Sequence, residues 1–451
     1  MRNIDIKMIP AEVIKIIKKF KDNKGEIYIV GGAVRDLLLG REVKDWDLTT
    51  NLTPDQMKQL FPKNSFYNNN FGTFSIVGKD KQIYEITTFR TEQGYSDSRH
   101  PDEVKWGTSL EEDLQRRDFT INTIALDIGV IDGKIVIIDP YQGGKDLEDK
   151  LVRAVGNPSD RFKEDALRMM RAVRIAGQIG FGVEDETFRA IQQSAQLLKN
   201  IAWERIRDEL FKILASQSPA TGIQMLKNAE LLKEIIPELL DGIGMEQKGH
   251  HIDDVWTHNL KTLANCTSYH PVTRLAALLH DVAKPASMKI ISGERTFHNH
   301  EIIGSRIALS IGKRLRLSKQ ELDQLFRLVR WHMFTTSEMQ TDKAVRRFIR
   351  NVTPDYLDEM IALRRGDRVG SGAKETSWRW ELFKQRLIEV QKQPFSIKDL
   401  KVNGHDVMEV LGIKPGRKIG EVLNALFKEV EEDPKLNDRD ILLAKIRQGV
   451  N

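Results

Sequence analysis

This chain of 451 residues has almost no cysteine. Cys266 stands alone, so no internal disulfide can form, and the expected compartment is a reducing one, the cytoplasm. Long hydrophobic runs are missing as well. Nothing approaches the ~18 consecutive apolar residues of a membrane-spanning helix, and the opening stretch MRNIDIKMIP carries no secretory apolar segment. A membrane partner is therefore not expected. Net charge is scarce too: 70 Lys and Arg stand against 65 Asp and Glu, a balance of +5. That permits a nucleic-acid partner without demanding one, because local basic surfaces matter more than the total. There is no internal repeat and no low-complexity tract. At ~100–200 residues per domain, the length predicts two to four domains.

Histidine is distributed unevenly. Eight of the ten lie between His250 and His332, which marks a region with chemistry of its own. Before it, the first ~150 residues alternate between strand and helix patterns. Ile27–Val30 reads as a strand closed by Gly31-Gly32, Val34–Leu39 as a helix ending at Gly40, and Asp47–Thr50 as a second strand. Thr53-Pro54 offers an N-cap and a first-turn proline for a helix over Asp55–Phe61. Phe74–Val77 and Gln82–Phe89 read as a hairpin. From about Arg161 the spacing turns helical, with helices expected over Glu164–Ile179, Phe188–Leu198 and Trp203–Leu214. Gly-containing breaks at Asp241–Gly249 and Gly366–Ser377 are candidate boundaries. The fold class expected is α+β, with an α/β head followed by all-α regions.

The most specific stretch is Gly31-Gly32-Ala33-Val34-Arg35-Asp36, followed by Asp45-Trp46-Asp47. Glycines at a helix start let backbone N–H groups approach an anion such as phosphate. Asp45 and Asp47 lie two apart on an expected strand, so both carboxylates face one side. Paired carboxylates beside a phosphate cradle suit Mg²⁺ and in-line phosphoryl or nucleotidyl transfer. Glu85 interrupts a β-prone run and is the candidate third carboxylate. Asp165 and Arg168, three apart on an expected helix, offer an acceptor and donors side by side to the edge of a base.

These motifs closely resemble the class of nucleotidyltransferases that contains the bacterial CCA-adding enzymes and bacterial poly(A) polymerases. The likeness continues through Arg116-Arg117-Asp118-Phe119-Thr120-Ile121-Asn122, Glu164-Asp165-Ala166-Leu167-Arg168 and Glu204–Glu209, strongly over residues 25–215 and more loosely over 395–433. It implies a polymerase-beta-like head at 1–150 and a helical neck and body at 151–245 that binds nucleotide bases and RNA. It further implies Asp45 and Asp47 holding Mg²⁺, with Glu85 beside them. Gly31, Gly32 and Arg35 would bind phosphates, while Arg117, Asp118 and Asn122 place the sugar. Asp165 and Arg168 would read the base, and Arg171 and Arg174 would join the nucleotide site. The polar segment Tyr95–Val104 is similar to a loop that switches relatives from C to A addition, with His100 in place of an arginine and Thr123 where alanine is usual.

His258, His280-Asp281, His300, His332 and Asp367 form an ordered set that resembles the HD superfamily of metal-dependent phosphohydrolases. The resemblance implies an HD domain at 246–375 holding a divalent transition metal, and a helical, tRNA-binding tail at 376–451. Imidazoles and carboxylates gathered from several helices can bind divalent metal and activate water. His405-Asp406 is a second such dipeptide but lacks partner histidines. RNA contacts are expected from Arg168, Arg171 and Arg174 on one helix side and from the basic segment Lys343–Arg350.

The stretch Phe395–Asn451 holds ten Lys and Arg and ten Asp and Glu. It is not the strongly basic extension typical of poly(A) polymerases, which favours tRNA. The leading expectation is template-independent addition of C, C and A to tRNA 3′ ends from CTP and ATP, with pyrophosphate released. Against it stand an A-only tRNA-adding enzyme, an HD phosphohydrolase using the head as a binding module, and a non-catalytic RNA-binding protein. The intact Asp45/Asp47 pair speaks against the last.

Overall fold

Apolar Ile27–Val30 becomes β1, an inner strand of the sheet on which the head is organised. A computed structural model describes residues 4–67, 73–93, 103–106, 109–129, 133–247, 253–292, 294–391 and 397–449. The loop expected at Tyr95–Val104, with His100, lies outside them apart from its last two positions. The chain divides into two compact units, residues 1–240 with 314–316, and residues 241–313 with 317–451.

In the first unit α1 (Ala11–Asp22) buries Val13, Ile16, Ile17 and Phe20, a stripe at helical spacing. After β1 come α2 (Gly32–Leu38), β2 (Asp47–Thr50) and α3 (Pro54–Leu60). The expected cap of α3 is a full capping box, Thr53 with Gln56. Then follow β3 (Ser65–Tyr67), β4 (Thr73–Val77) and β5 (Ile83–Thr88), with β4 and β5 forming the expected hairpin. A two-stranded ribbon of β6 (Arg90–Gln93) and β7 (Glu103–Trp106) leads to α4 (Leu110–Gln115), β8 (Ala125–Ile128) and β9 (Ile135–Ile138). The seven-stranded sheet runs β3-β4-β5-β2-β1-β8-β9. All its pairs are antiparallel except β2 with β5, whose parallel register sets Asp47 beside Glu85.

Helices complete this unit: α5 (Gly143–Glu148), α6 (Pro158–Glu164), α7 (Leu167–Ile179), α8 (Asp185–Ser194), α9 (Trp203–Leu214), α10 (Pro219–Asn228) and α11 (Leu231–Ile235). The single helix expected over Glu164–Ile179 is broken. Asp165 is extended (φ −146°, ψ 103°), ending α6, and its side chain accepts from Leu167 N to start α7. Asp and Asn readily trade helical continuity for such a local bond.

One glycine ties this scaffold to the site. A Cβ on Gly143 would stand 2.1 Å from the Thr120 carbonyl oxygen, at the start of the 3₁₀ turn Thr120–Asn122. Gly143→Ala must displace backbone, so it is expected to cost about 2–4 kcal/mol, read as a lowered denaturant midpoint at unchanged slope.

Among the described residues the second unit is helical apart from one short hairpin. It holds α12 (Val255–Asn265), α13 (Pro271–Leu279), α14 (Lys284–Ser287), α15 (His300–Arg314), α16 (Lys319–Trp331), α17 (Asp342–Val352) and α18 (Leu357–Gly370). After these come α19 (Trp378–Gln391), α20 (Gly404–Leu411), α21 (Arg417–Glu432) and α22 (Arg439–Gln448). The last three enclose their own core around Val407, Leu426, Val430 and Leu442.

Two stretches singled out in the sequence gain structural partners here. Asp406 of the second His-Asp dipeptide closes the α20 capping box with Asn403 and pairs with Arg439 at 2.6 Å, a structural duty. Three of the basic residues of α17 contact the tail. Arg346 donates to the Glu431 carbonyl (3.1 Å), Arg350 pairs with Glu431 (2.7 Å) and Lys343 with Glu432 (2.9 Å).

Candidate active site

The site in the first unit begins at a turn only glycine adopts easily. Gly31 is the N-cap of α2 with φ +73°, and α2 starts at Gly32, two residues before the expected position. Asp47 opens β2, whereas Asp45 lies just outside the strand and both flank buried Trp46. With Trp46 turned inward, alternation turns the two carboxylates outward. Glu85, paired with Asp47 across the parallel ladder, adds the third.

Among the described residues neither Asp45 nor Glu85 makes an ion pair, whereas Asp47 has Arg117 and Arg171 near it. Desolvation raises the Asp47 pKa, with Arg117 and Arg171 pulling down and Asp45 pushing up. Desolvation, then Asp47, then Asp45 raise that of Glu85. Three clustered carboxylates are a donor set suited to a divalent cation, which would offset their mutual repulsion.

Two clefts meet at Asp47. One, of about 320 Å³, is lined by Gly31, Arg117, Asp118, Asn122, Asp165 and Arg168 among others. The second, of about 610 Å³, is lined by Arg35, Asp45, Arg171 and Arg174 among others. Gly32, Asp47, Asn122 and Arg171 border both. Every candidate residue of the head except Glu85 therefore lines one cleft or the other, and Glu85 joins through Asp47.

Each candidate arginine here is held by a carboxylate. Arg35 makes a two-pronged contact with Asp36 (2.9 and 3.1 Å) and donates to Asn122 Oδ1 at 3.1 Å. Arg168 pairs with Glu164, Arg171 with Asp118 and Arg174 with Glu209, at 2.7, 2.7 and 2.6 Å. Arg168, Arg171 and Arg174, expected on one helix side, thus each have a carboxylate partner while still lining a cleft.

Asp118 is buried, and burial raises its pKa. Arg171 and the Asn122 amide outweigh that and bring it down to about 2, so it stays ionised. Its Oδ1 accepts from Phe119 N and Asn122 Nδ2, which fixes the amide of Asn122. Thr123, standing where alanine is usual, is fully buried but satisfied, its hydroxyl donating to the Thr120 carbonyl at 2.7 Å.

The expected Asp165–Arg168 pair does not form as neighbours on one helix face. Asp165 sits in the break before α7 and pairs instead with Arg205 of α9 at 2.7 Å. Arg168 reaches back to Glu164 and donates to the Arg116 carbonyl at 3.0 Å. Both still line the smaller cleft, approaching it from the break and the helix separately. The sequence reading also passed over Asp113, inside the acidic run Glu111-Glu112-Asp113. Glu111 and Glu112 are exposed, but Asp113 has no exposed surface and grips Arg116 and Arg117. Its positions three and four before two arginines on a helix were the available signal.

The second unit gathers all six of its candidate ligands. His258 (α12), His280 and Asp281 (after α13), His300 (α15), His332 (after α16) and Asp367 (α18) are buried together. His258 Nε2 lies 3.1 Å from His280 Nε2 and 3.3 Å from Asp367 Oδ1; His300 Nε2 lies 3.3 Å from Asp281 Oδ1. Two ligand triads result, His258/His280/Asp367 and Asp281/His300/His332. His280, His300 and His332 each place Nδ1 2.7–2.8 Å from a backbone carbonyl, of Ala277, Phe297 and Val329. That bond puts the proton on Nδ1 and leaves the Nε2 lone pairs converging.

The Nε2 atoms of His300 and His332 are buried, make no well-aligned hydrogen bond among the described residues, and face Asp281 Oδ1 at 3.3 and 3.7 Å, an arrangement that suits ligand atoms of a cation. Burial, then His280, lower the His332 pKa to about 3 and keep it neutral. A cleft of about 560 Å³ opens on the cluster, with Lys284, Arg364 and Arg368 on its walls.

No helix among the described residues is long and apolar enough to cross a membrane.

Residues 27–153 match the poly(A) polymerase head domain, 180–242 the probable RNA- and SrmB-binding site of polymerase A, 256–364 the HD domain and 313–446 the family described as tRNA nucleotidyltransferase domain 2. The CCA-adding enzyme of Ligilactobacillus salivarius is 34% identical over 449 residues, 98% of each chain. That of Limosilactobacillus reuteri is 32% identical over 450 residues, again 98% of each. The crystal structure of the Bacillus stearothermophilus CCA-adding enzyme in complex with CTP superposes with a TM-score of 0.69 at 28% identity, covering 97% of this chain and 96% of that one. A Thermotoga maritima CCA-adding enzyme complexed with tRNA shares the fold, with a TM-score of 0.59 at 21% identity over 99% and 97%. With the carboxylate trio, the arginine-lined clefts and near end-to-end likeness to these relatives, the chain belongs to the CCA-adding enzymes.

Proposed function

We propose that this chain is a template-independent CCA tRNA nucleotidyltransferase, adding C, C and A to tRNA 3′ ends from CTP and ATP and releasing pyrophosphate, in the cytoplasm. The observation that carries the reading is the meeting of two arginine-lined clefts at Asp47, beside Asp45 and Glu85. The head depends on a divalent cation. We propose that it is Mg²⁺, held by Asp45 and Asp47 with Glu85 alongside. When bound, such an ion polarises the reacting phosphate and favours the ionised 3′-OH.

The protein's own groups supply the rest. Backbone N–H groups at Gly31 and Gly32 and the guanidiniums of Arg35, Arg117, Arg171 and Arg174 meet the triphosphate. Asn122, its amide held by ionised Asp118, positions the ribose with Arg117. Asp165 accepts from the exocyclic amino group that cytosine and adenine share, and Arg168 donates to the ring nitrogen beside it. Uracil and guanine present a carbonyl where that amino group stands, so the same pair rejects them.

Transcripts ending before CCA and transcripts ending in CC, incubated with CTP and ATP and sequenced at their 3′ ends, test this reading. Complete CCA on both is expected; addition to the CC-ending transcript alone would establish the A-only alternative instead.

The six-residue cluster supports a second activity, a phosphohydrolase using a divalent transition metal bound by His258, His280, Asp281, His300, His332 and Asp367. Metal analysis of purified protein should find metal that drops at least ~10-fold in His280→Ala/Asp281→Ala while CCA addition continues. Unchanged metal content in the double variant would refute the site.

A further inference from the structure

Asp113 is an acid of the head that faces neither solvent nor either cleft. Its Oδ1 receives Arg116 Nε at 3.0 Å and Nη2 at 2.6 Å, and its Oδ2 receives Arg117 Nη2 at 3.0 Å. Burial raises its pKa, but the Arg117 and Arg116 guanidiniums outweigh burial and hold it below the ordinary carboxylate value. It is therefore a fixed negative charge between two cations, and a buried charge so paired is costly to disturb.

Three branches leave this carboxylate. The first is Arg117, whose other terminal nitrogen lies at the Gly31 turn. A Cβ built on Gly31 would stand 3.3 Å from Arg117 Nη1 and 3.3 Å from Asp47 Oδ2, so the guanidinium is aimed at the junction of phosphate turn and carboxylates. The second is Arg116, whose backbone carbonyl accepts Arg168 Nη2 at 3.0 Å. The third is Thr49 on β2, two residues beyond Asp47, with its hydroxyl 3.3 Å from Asp113 Oδ2 and 3.1 Å from the Thr87 carbonyl, so it can donate to either. One carboxylate thus reaches the strand of Asp47, the phosphate-side arginine and the base-side arginine.

We propose that Asp113 is a positioning residue for nucleotidyl transfer, aligning Arg117 with the triphosphate and, through Arg116, Arg168 with the base. The proposal rests on the reading of the head as the nucleotide site. Preorganised donors lose far more than their own contact when their support is removed.

The test compares wild type and Asp113→Asn on a tRNA transcript in one assay. Inactive wild type would refute the reading of the head itself; active wild type leaves Asp113 to be judged alone. In Asp113→Asn, KM for CTP and ATP should rise at least ~10-fold and kcat should fall, with KM for tRNA within ~2-fold. A purely structural role would lower the unfolding midpoint and leave the nucleotide KM unmoved, which overturns the proposal. In an Arg116→Met/Arg117→Met background, Asp113→Asn should add no more than ~3-fold; an undiminished effect there also overturns it. Should Asp113→Asn not fold, Arg116→Met decides the base-side branch. The ratio of UTP to CTP incorporation should rise at least ~10-fold, and an unchanged ratio contradicts the proposal.

Discussion

Asp47→Asn is expected to lower CTP and ATP addition to tRNA by at least ~10³-fold, a loss of about 4 kcal/mol of transition-state stabilisation. Asparagine keeps the shape and removes the charge that, with Asp45 and Glu85, calls for a divalent cation. Asp47 opens β2 with an exposed side chain, so the strand's register with β1 and β5 should survive. The unfolding midpoint should accordingly stay close to wild type, and relief of carboxylate repulsion can raise it slightly. Single-turnover addition measured beside a thermal melt checks both. Activity within ~10-fold of wild type would remove Asp47 from the cation site.

The second large effect concerns the base. Asp165→Asn keeps a side-chain acceptor for Leu167 N, so α7 still has its start, but replaces part of the acceptor surface with an N–H₂ donor. That donor suits the carbonyl of uracil and guanine and opposes the amino group of cytosine and adenine. Addition of C and A should fall by ~10²-fold or more, with the UTP to CTP incorporation ratio rising at least as far. Arg205, which pairs with Asp165 at 2.7 Å, loses its ionic partner in this variant, so a modest loss of stability of about 1–2 kcal/mol accompanies it. Sequencing of products made with all four nucleotides reads the change. A uniform fall with C and A preference intact would show that Asp165 does not read the base.

The contrast between Glu85 and Asp165 shows what the sequence could convey. Glu85 was legible because a charged residue inside a β-prone run is locally anomalous, and strand pairing then carried it to Asp47. Asp165 was legible as a residue but not as geometry. Helical spacing continues across it, and only the tertiary partner Arg205 and the bond to Leu167 N reveal that the helix stops there. Hydrophobic period reports which face is buried; it does not report a side chain that competes with the backbone.

The charged residues of α17 and α7 teach the same lesson. Arg346 and Arg350 look like an RNA-facing patch in sequence, yet Glu431 on α21, whose backbone carbonyl takes Arg346 and whose carboxylate takes Arg350, lies some eighty positions away. Ion pairs at that separation leave no local signature. The histidine cluster was legible for the opposite reason. Its ligands are rare residues placed at helix starts and ends, His280, His300 and His332 among them, so their identity survives any uncertainty about helix boundaries.

One site of the head, bounded by Asp165 and Arg168, is expected to read both C and A. Equilibrium competition between CTP and ATP on the tRNA-free protein, in the presence of Mg²⁺, tests it most directly. The expected result is one nucleotide bound per chain, CTP and ATP displacing each other completely, and UTP and GTP competing at least ~10-fold more weakly. Two nucleotides bound at once, with CTP failing to displace ATP, would contradict it.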